Sequence, residues 1–537
     1  MLAAAAAFTA VQLAAYVLPL LVPSSVRDDA LMWQRYAMNV SHGYGISWNP
    51  GGPHAYGLTS TSYLLVVMGV RAIARAWTGP VQLALLASAL SGLGWMVLSI
   101  DMIRVALRRN ARWLRSSIVV LFLVFCWFAR DRLVRHFVSG MDTVFVLAYL
   151  TTFLATLARY VQRPRRATLI VLLLIHTFAQ LARPDLLLFT LPVVLLLTFV
   201  RPDSPSLSLR WRIGGAATSL VVVGLTAGAC ALYFGSAVPL PFYAKGTHLY
   251  GPEIYRKYAE TPAKEWGPFV RALAGPMILS LAGVAARLRR RRDWTCMADV
   301  ALLGAAWAYL AYYRFFVLQI VPYDSRFYVP SVPVFLYLSV RAIALFAPNR
   351  RLGDSGASAR RLRRGHVVVA LAVAALTVVL MRGRLYENWP PRFRWAESVE
   401  RVYAESYFSG YVVCLDKVAT LPDDVTIATT EVGFTGIMNA EKRVIDLAGL
   451  NDTEVAFHGL RPARFFAANK PDLIYLPHPD YREMLEAMLQ DPTFKGEYRL
   501  FPRGALHATM DVAVKRDGPH AAVLDGIFER RSGVATN

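Results

Sequence analysis

Val22-Pro-Ser-Ser-Val-Arg-Asp-Asp-Ala-Leu-Met-Trp-Gln-Arg-Tyr-Ala-Met-Asn39 is the stretch whose reading decides how this chain is built. It follows an apolar run, residues 2–22, of bilayer-spanning length. It carries two adjacent carboxylates, Asp28 and Asp29, where the chain leaves the membrane. Trp33, Tyr36, Ala37 and Val40 then recur at i, i+3, i+4 and i+7, the apolar stripe of a helix lying on a surface. His42 and Gly43 supply its stop. Two readings compete. The acids are either a base held at the membrane boundary for a lipid-linked substrate, or cap and first-turn acids that only mark where a helix begins.

Working outward, composition sets the class. Of 537 residues 55% are hydrophobic and mean hydropathy is +0.39, which excludes an ordinary soluble enzyme and points to a polytopic membrane protein. The formal charge of +22 is clustered between apolar runs rather than spread along one face, so it reads as positive-inside bias and not as a nucleic-acid surface. Cys126, Cys230, Cys296 and Cys414 are scattered, with neither metal-type spacing nor a disulfide framework.

Apolar runs predict transmembrane helices near 2–22, 80–107, 116–134, 141–159, 167–182, 185–200, 213–234, 268–287, 297–320, 328–347 and 366–382. Basic clusters at 108–115, 159–166, 201–212, 287–292 and 350–364 follow every second span, which puts the N-terminus in the cytoplasm and the C-terminal segment outside. The first run lacks a basic n-region, so it reads as a retained span rather than a cleaved signal. Residues 24–78 form a long first outer loop with a second interfacial helix running from Leu58 to Val70, and a turn-forming stretch at 43–53 between the two helices. Residues 383–537 have soluble composition, with strands expected at 425–429, 443–447, 472–476 and 510–515 and helices at 397–407 and 481–490. The expected fold is thus an α-helical polytopic membrane domain, 1–382, of about eleven spans, followed by an α/β domain, 383–537.

The topology gathers polar residues at the outer ends of spans: Ser139-Gly-Met-Asp142, Arg183-Pro-Asp185, then Tyr243, Lys245, His248 and Tyr250, and finally Asp324 and Arg326. Charged groups near membrane depth face cavities, so their collection on one side is a functional signal. Each also has a local reading: an Arg183–Asp185 pair across a turn, a dipole-favoured Asp142, snorkelling cations, an ordinary loop histidine. Together they suit sugar transfer from a lipid phosphate. Asp28 or Asp29 would handle the acceptor hydroxyl, while Lys245 and Arg326 hold the phosphate as charge develops on it. Trp33, Tyr36 and Tyr243 suit a sugar face and an isoprenoid tail. There is no phosphate-binding Gly-rich loop, and hence no sign of a soluble nucleotide sugar.

These residues resemble the GT-C superfamily of polyprenyl-phosphate-sugar-dependent glycosyltransferases. The resemblance lies in Asp28-Asp29, Arg35-Tyr-Ala-Met-Asn39, His42-Gly-Tyr-Gly45, Tyr56-Gly-Leu-Thr-Ser60, Ser139-Gly-Met-Asp142, Arg183-Pro-Asp185, Tyr243-Ala-Lys245, Arg326-Phe327 and Arg443-Val-Ile-Asp-Leu-Ala-Gly-Leu450, in that order along most of the chain. Within it the chain is most similar to the terminal arabinofuranosyltransferase group. That resemblance implies a catalytic first-loop acid, for which Asp29 is the choice because it adjoins the helix, with Asp28 in support. It also implies a decaprenylphosphoryl arabinose donor and a C-terminal domain that helps bind acceptor. Where many relatives carry Glu in the fourth span, this chain has the shorter Asp142. The expected enzyme is a multi-pass bacterial inner-membrane glycosyltransferase with a periplasmic active site. Asp29 and Asp28 are its acids, Lys245, Arg326 and Arg183 its phosphate ligands, and Trp33, Tyr36, Tyr243 and His248 its substrate contacts. Its acceptor is a periplasmic glycan, a lipid-linked glycan or a pilin-like protein. No cofactor is expected; a divalent metal is compatible with this chemistry but not indicated by the sequence. A lipid-linked-sugar transporter or sugar-binding scaffold is the competing class. A transporter should carry polar residues in both halves of the membrane, and here they sit on one side.

Overall fold

A computed structural model describes residues 26–76, 79–128, 135–199, 208–246, 252–290, 293–317, 319, 325–346, 417–477, 481–501 and 511–529. The expected spans at 2–22 and 366–382, the helix at 397–407, the domain boundary at 382/383, and His248, Tyr250 and Asp324 lie outside the described residues.

The first outer loop holds α1 (Asp28–Ser41) and α2 (Thr61–Ala74). Asp28 and Asp29 occupy the first turn of α1, where the helix dipole favours acids, and Gly43 at φ +84° ends the chain's run past Ser41. Ser60 caps α2, its Oγ accepting from the Tyr63 N–H at 3.3 Å. The membrane bundle follows as α3 (Pro80–Ala106), α4 (Arg112–Phe128), α5 (Thr143–Gln162), α6 (Arg166–Thr177), α7 (Leu187–Phe199) and α8 (Leu209–Phe234). After the short α9 (Leu240–Gly246) come α10 (Thr261–Arg290), α11 (Trp294–Phe315) and α12 (Val332–Phe346). Among the described residues, six helices are long and apolar enough to cross a membrane. The bundle is a multi-pass membrane protein's.

Its core forms where α3 packs along α5, α10 along α12, and α7 along α11, with Trp95, Phe137, Phe153, Phe189 and Tyr309 fully buried between them. In contrast α8 leaves Leu220, Val221, Leu225 and Leu232 uncovered, as a helix facing lipid does. One end of the bundle is basic: Arg109 reaches the Gln162 carbonyl, Arg159 pairs with Asp101, and Arg287 and Arg341 share Asp299. The opposite end carries α1, α2 and α9.

The C-terminal α/β domain is a five-stranded sheet of order β2-β1-β3-β5-β4. β1 (Thr426–Thr429) pairs in parallel with β2 (Arg443–Asp446) and β3 (Leu473–Tyr475); β5 (Val512–Lys515) runs antiparallel to β3 and to β4 (Tyr498–Phe501). The run Tyr-Arg-Leu-Phe was not expected to be a strand. Only its ends are buried, so an edge position rather than alternation made it one.

Two further expectations need correction. The span expected at 167–182 is broken at Phe178, with a four-residue turn, Ala179–Ala182, before Arg183. The stripe on α1 was read as one apolar face on a surface, yet Gln34, Arg35 and Asn39 on its other faces are buried too. The α/β domain covers Arg35, which donates to its carbonyls, while Asn39 donates to those of Ser47 and Trp48. Helix α13 (Val432–Met438), seven residues with two glycines, lies along α1.

Candidate active site

The bundle positions its polar residues through backbone geometry at the ends of spans. Ser139-Gly140 forms a turn at which Gly140 takes φ +74°, and the Ser139 carbonyl accepts from the Arg27 N–H while that of Gly140 accepts from the Tyr63 hydroxyl, each at 3.0 Å. This ties α1 and α2 to the start of α5 and leaves Asp142 at its N-terminus, accepting from Thr59 Oγ1 at 3.3 Å. At the next outer turn the Arg183 guanidinium lies edge-on to the Asp185 carboxylate, donating from Nε at 3.1 Å and from Nη2 at 2.5 Å. The local reading of that pair holds, and its Arg183 also faces a cavity.

That cavity, about 1020 Å³ of empty space including its open mouth, lies between α1, the start of α5, the outer end of α11 and α9. It brings together Asp29, Trp33, Asp142, Arg183, Lys245 and Arg326. The remaining wall is largely apolar or aromatic, from Met32, Met141, Phe242, Tyr312, Tyr313, Phe316 and Phe327. Trp33 is held by its indole N–H on the Ser60 carbonyl at 3.3 Å and by an edge-on Tyr63 ring. Three cations thus face two carboxylates in a half-apolar wall, the composition of a site for one anionic headgroup on an apolar tail. Burial, and next the neighbouring Arg326 guanidinium, bring the Lys245 ammonium down to about 8, while Asp29 pulls in the other direction.

Other expected residues do not reach this cavity. Asp28 faces the α/β domain, its Oδ2 accepting from the Gly433 N–H at 2.8 Å and its Oδ1 from the Phe434 N–H at 2.7 Å. Successive helical residues point about 100° apart, so one acid of the pair enters the cavity and the other holds the domain. Burial raises the Asp28 carboxyl to about 6, opposed by those two N–H groups. Tyr36 is fully buried and donates to Asn451 Oδ1 at 2.9 Å; Asn451 in turn donates to Asp446 at 2.9 Å. This joint sets the turn that brings Leu450 of the α/β domain to the cavity wall. Tyr243 packs its ring against Phe457 instead of substrate space. Sequence reasoning missed Tyr312, Tyr313 and Phe316; the only signal was an aromatic run at the end of a span.

With the geometry in hand, comparison with known proteins places the fold. ArnT from Cupriavidus metallidurans bound to undecaprenyl phosphate superposes over 96% of this chain and 98% of its own, at a TM-score of 0.54 and 14% identity. The same protein without ligand covers 95% and 97%, at 0.51 and 14%. The chain has the GT-C-type fold. The Archaeoglobus fulgidus oligosaccharyltransferase tethered with an acceptor peptide aligns over 93% of this chain and 73% of its own, at 0.45 and 11% identity, and supports no argument. Residues 412–519 match a family described as a domain of unknown function (DUF8728). No curated protein matches in sequence.

Proposed function

We propose that this protein is a membrane glycosyltransferase that takes a sugar from a polyprenyl-phosphate donor and passes it to an acceptor outside the cytoplasmic membrane. The observation that carries the reading is the convergence of Asp29 with Arg183, Lys245 and Arg326 in one apolar-walled cavity at the end of the bundle away from the basic loops. The GT-C-type fold supports it, as does the undecaprenyl phosphate bound to the similarly folded ArnT.

In the proposed reaction the Asp29 carboxylate takes the proton of an acceptor hydroxyl as its oxygen bonds to the anomeric carbon. The bond from that carbon to the phosphate oxygen breaks, and the electron pair leaves with the polyprenyl phosphate. Lys245, Arg326 and Arg183 hold the added negative charge. Direct displacement of this kind inverts the anomeric centre. Arabinofuranose, from decaprenylphosphoryl arabinose, is the first choice of sugar on the strength of the sequence resemblance. The acceptor would approach along a second cleft between residues 48–55 and the α/β domain. Asp423, Glu441, Asp452 and Glu454 outnumber Arg443 on its walls, which favours a neutral or cationic glycan or protein over an anionic one.

Purified protein in lipid, supplied with several polyprenyl-phosphate sugars and a cell-envelope extract, tests this by release of polyprenyl phosphate. Turnover with one donor, reduced at least about 100-fold in Asp29→Asn with the melting temperature kept, is the expected result. An active Asp29→Asn protein removes Asp29 as the base. Flux of lipid-linked sugar across the bilayer without turnover makes the protein a transporter.

A further inference from the structure

Behind Arg183 lies a buried group that the reaction above does not use. The Asp185 side chain is only 2% exposed and does not line the cavity. Its Oδ2 accepts from the Tyr313 hydroxyl at 2.6 Å, from the Tyr309 hydroxyl at 3.2 Å and from Arg183 Nη2 at 2.5 Å, while Oδ1 accepts from Arg183 Nε at 3.1 Å. Arg183 Nη2 also donates to the Tyr313 oxygen at 3.0 Å. One edge of the guanidinium is therefore fully engaged and its plane is fixed. Among the described residues no acceptor takes the Nη1 N–H groups of Arg183, which lines the cavity.

We propose that Asp185, with Tyr313 and Tyr309, is a positioning residue that presents the Nη1 edge of Arg183 to the phosphate of the lipid donor. The inference rests on the functional reading above and assigns these residues a part in it. Two physical effects support it. A guanidinium held by a bidentate carboxylate loses little freedom when its other edge binds an anion, so more of each new hydrogen bond appears as affinity. The Asp185 charge also offsets that of Arg183, which lets a third cation stand near Lys245 and Arg326 before the phosphate arrives. A pin that only joined the turn before α7 to α11 would not need to engage the arginine, because the two tyrosine hydroxyls already make that link.

The test is binding of farnesyl phosphate, a soluble polyprenyl phosphate, to full-length protein in detergent, together with donor KM and kcat where turnover is available. Asp185→Asn keeps the shape and removes the charge. It should weaken farnesyl phosphate by roughly 10- to 100-fold, the worth of one misplaced charge-assisted hydrogen bond, and raise donor KM while kcat changes less than about threefold. Asp185→Glu should recover part of the affinity. In an Arg183→Gln background Asp185→Asn should cost less than about twofold more, because the two act as one unit. Equal affinity in Asp185→Asn, or an undiminished loss in the Arg183→Gln background, overturns the proposal. If Asp185→Asn does not fold, Tyr313→Phe decides in its place. It keeps the ring in the wall, removes one bond to each partner, and should weaken binding in the same direction. Wild-type protein that is folded and yet binds no farnesyl phosphate sinks the functional reading itself; binding by wild type with no effect of these variants sinks only the positioning role.

Discussion

Two side chains separate chemistry from architecture within the same few residues. Asp28 and Asp29 look alike in the sequence; adjoining the helix does not separate them, since both lie in its first turn, and the partner that does lies 405 residues from Asp28 at Gly433. What was legible was that acids, cations and an indole gather at one membrane boundary. Which of them share a cavity was not. The Asp28 carboxyl is raised from 3.8 to about 6, first by burial, so the folded chain holds that proton more tightly than the unfolded one. Its contribution to stability is then full below about pH 3.8 and is lost as pH rises through about 6. The stability of wild type relative to Asp28→Asn should accordingly fall by about 2 kcal/mol between pH 4.5 and 7 and stay flat above. Melting curves of both proteins across that range check this, and a difference that grows with pH refutes it. Lys245 gives the matching prediction for activity. Its ammonium, lowered to about 8 by burial and by Arg326, is lost above that pH. Donor kcat/KM should fall on the alkaline side of pH 8, and Lys245→Arg should carry activity to roughly pH 10 because guanidinium keeps its proton.

Helix α13 shows how an element that sequence reasoning passes over comes to exist. Seven residues with two glycines make a poor helix alone, and Val432-Gly-Phe-Thr-Gly-Ile-Met438 has no side-chain cap of its own. Its cap comes from α1. Asp28 accepts from the N–H groups at one end, while at the other Arg35 donates to the carbonyls of Gly436, Asn439 at 2.9 Å and Lys442 at 2.8 Å. Asp28 and Arg35 are seven residues apart, about 10.5 Å along a helix, which matches the length of α13. Each charge meets the end of the dipole that it stabilises. The glycines are there for contact: a Cβ on Gly433 would stand 1.8 Å from the Asp28 carbonyl oxygen, and one on Gly436 2.6 Å from the Trp48 ring. Gly433→Ala should therefore cost about 1–3 kcal/mol or more by pushing the α/β domain off α1, with transfer activity falling alongside because Leu450 leaves the cavity wall. Arg35→Lys should cost roughly 3 kcal/mol, since one ammonium cannot serve the buried carbonyls a guanidinium reaches. Unchanged melting temperature in either variant removes the clamp. The long apolar runs, by contrast, were readable because each span's pattern is set by lipid and not by a distant partner.

For the whole molecule the decisive property is which end faces which solution. The described loops 107–111 and 163–165 lie at the basic end, each after a helix that starts at the cavity end, and Asp29, Asp142, Arg183, Lys245 and Arg326 all lie at that opposite end. An excess of arginine in short loops favours the cytoplasm for such loops, and in the orientation proposed here the cavity and the α/β domain lie outside. The consequence for chemistry is large. In that proposed orientation the cavity has no supply of cytoplasmic nucleotide sugars, so the proposed donor would arrive already carried across the membrane on a lipid. In a chain whose four cysteines are replaced by alanine, Lys470→Cys on the exposed face of the α/β domain and Arg165→Cys at the basic end report the two sides. A membrane-impermeant maleimide should label Lys470→Cys in intact spheroplasts and Arg165→Cys only after permeabilisation. The reverse pattern would turn the cavity toward the cytoplasm, where a nucleotide sugar is within reach and the argument for a polyprenyl-phosphate donor loses its ground.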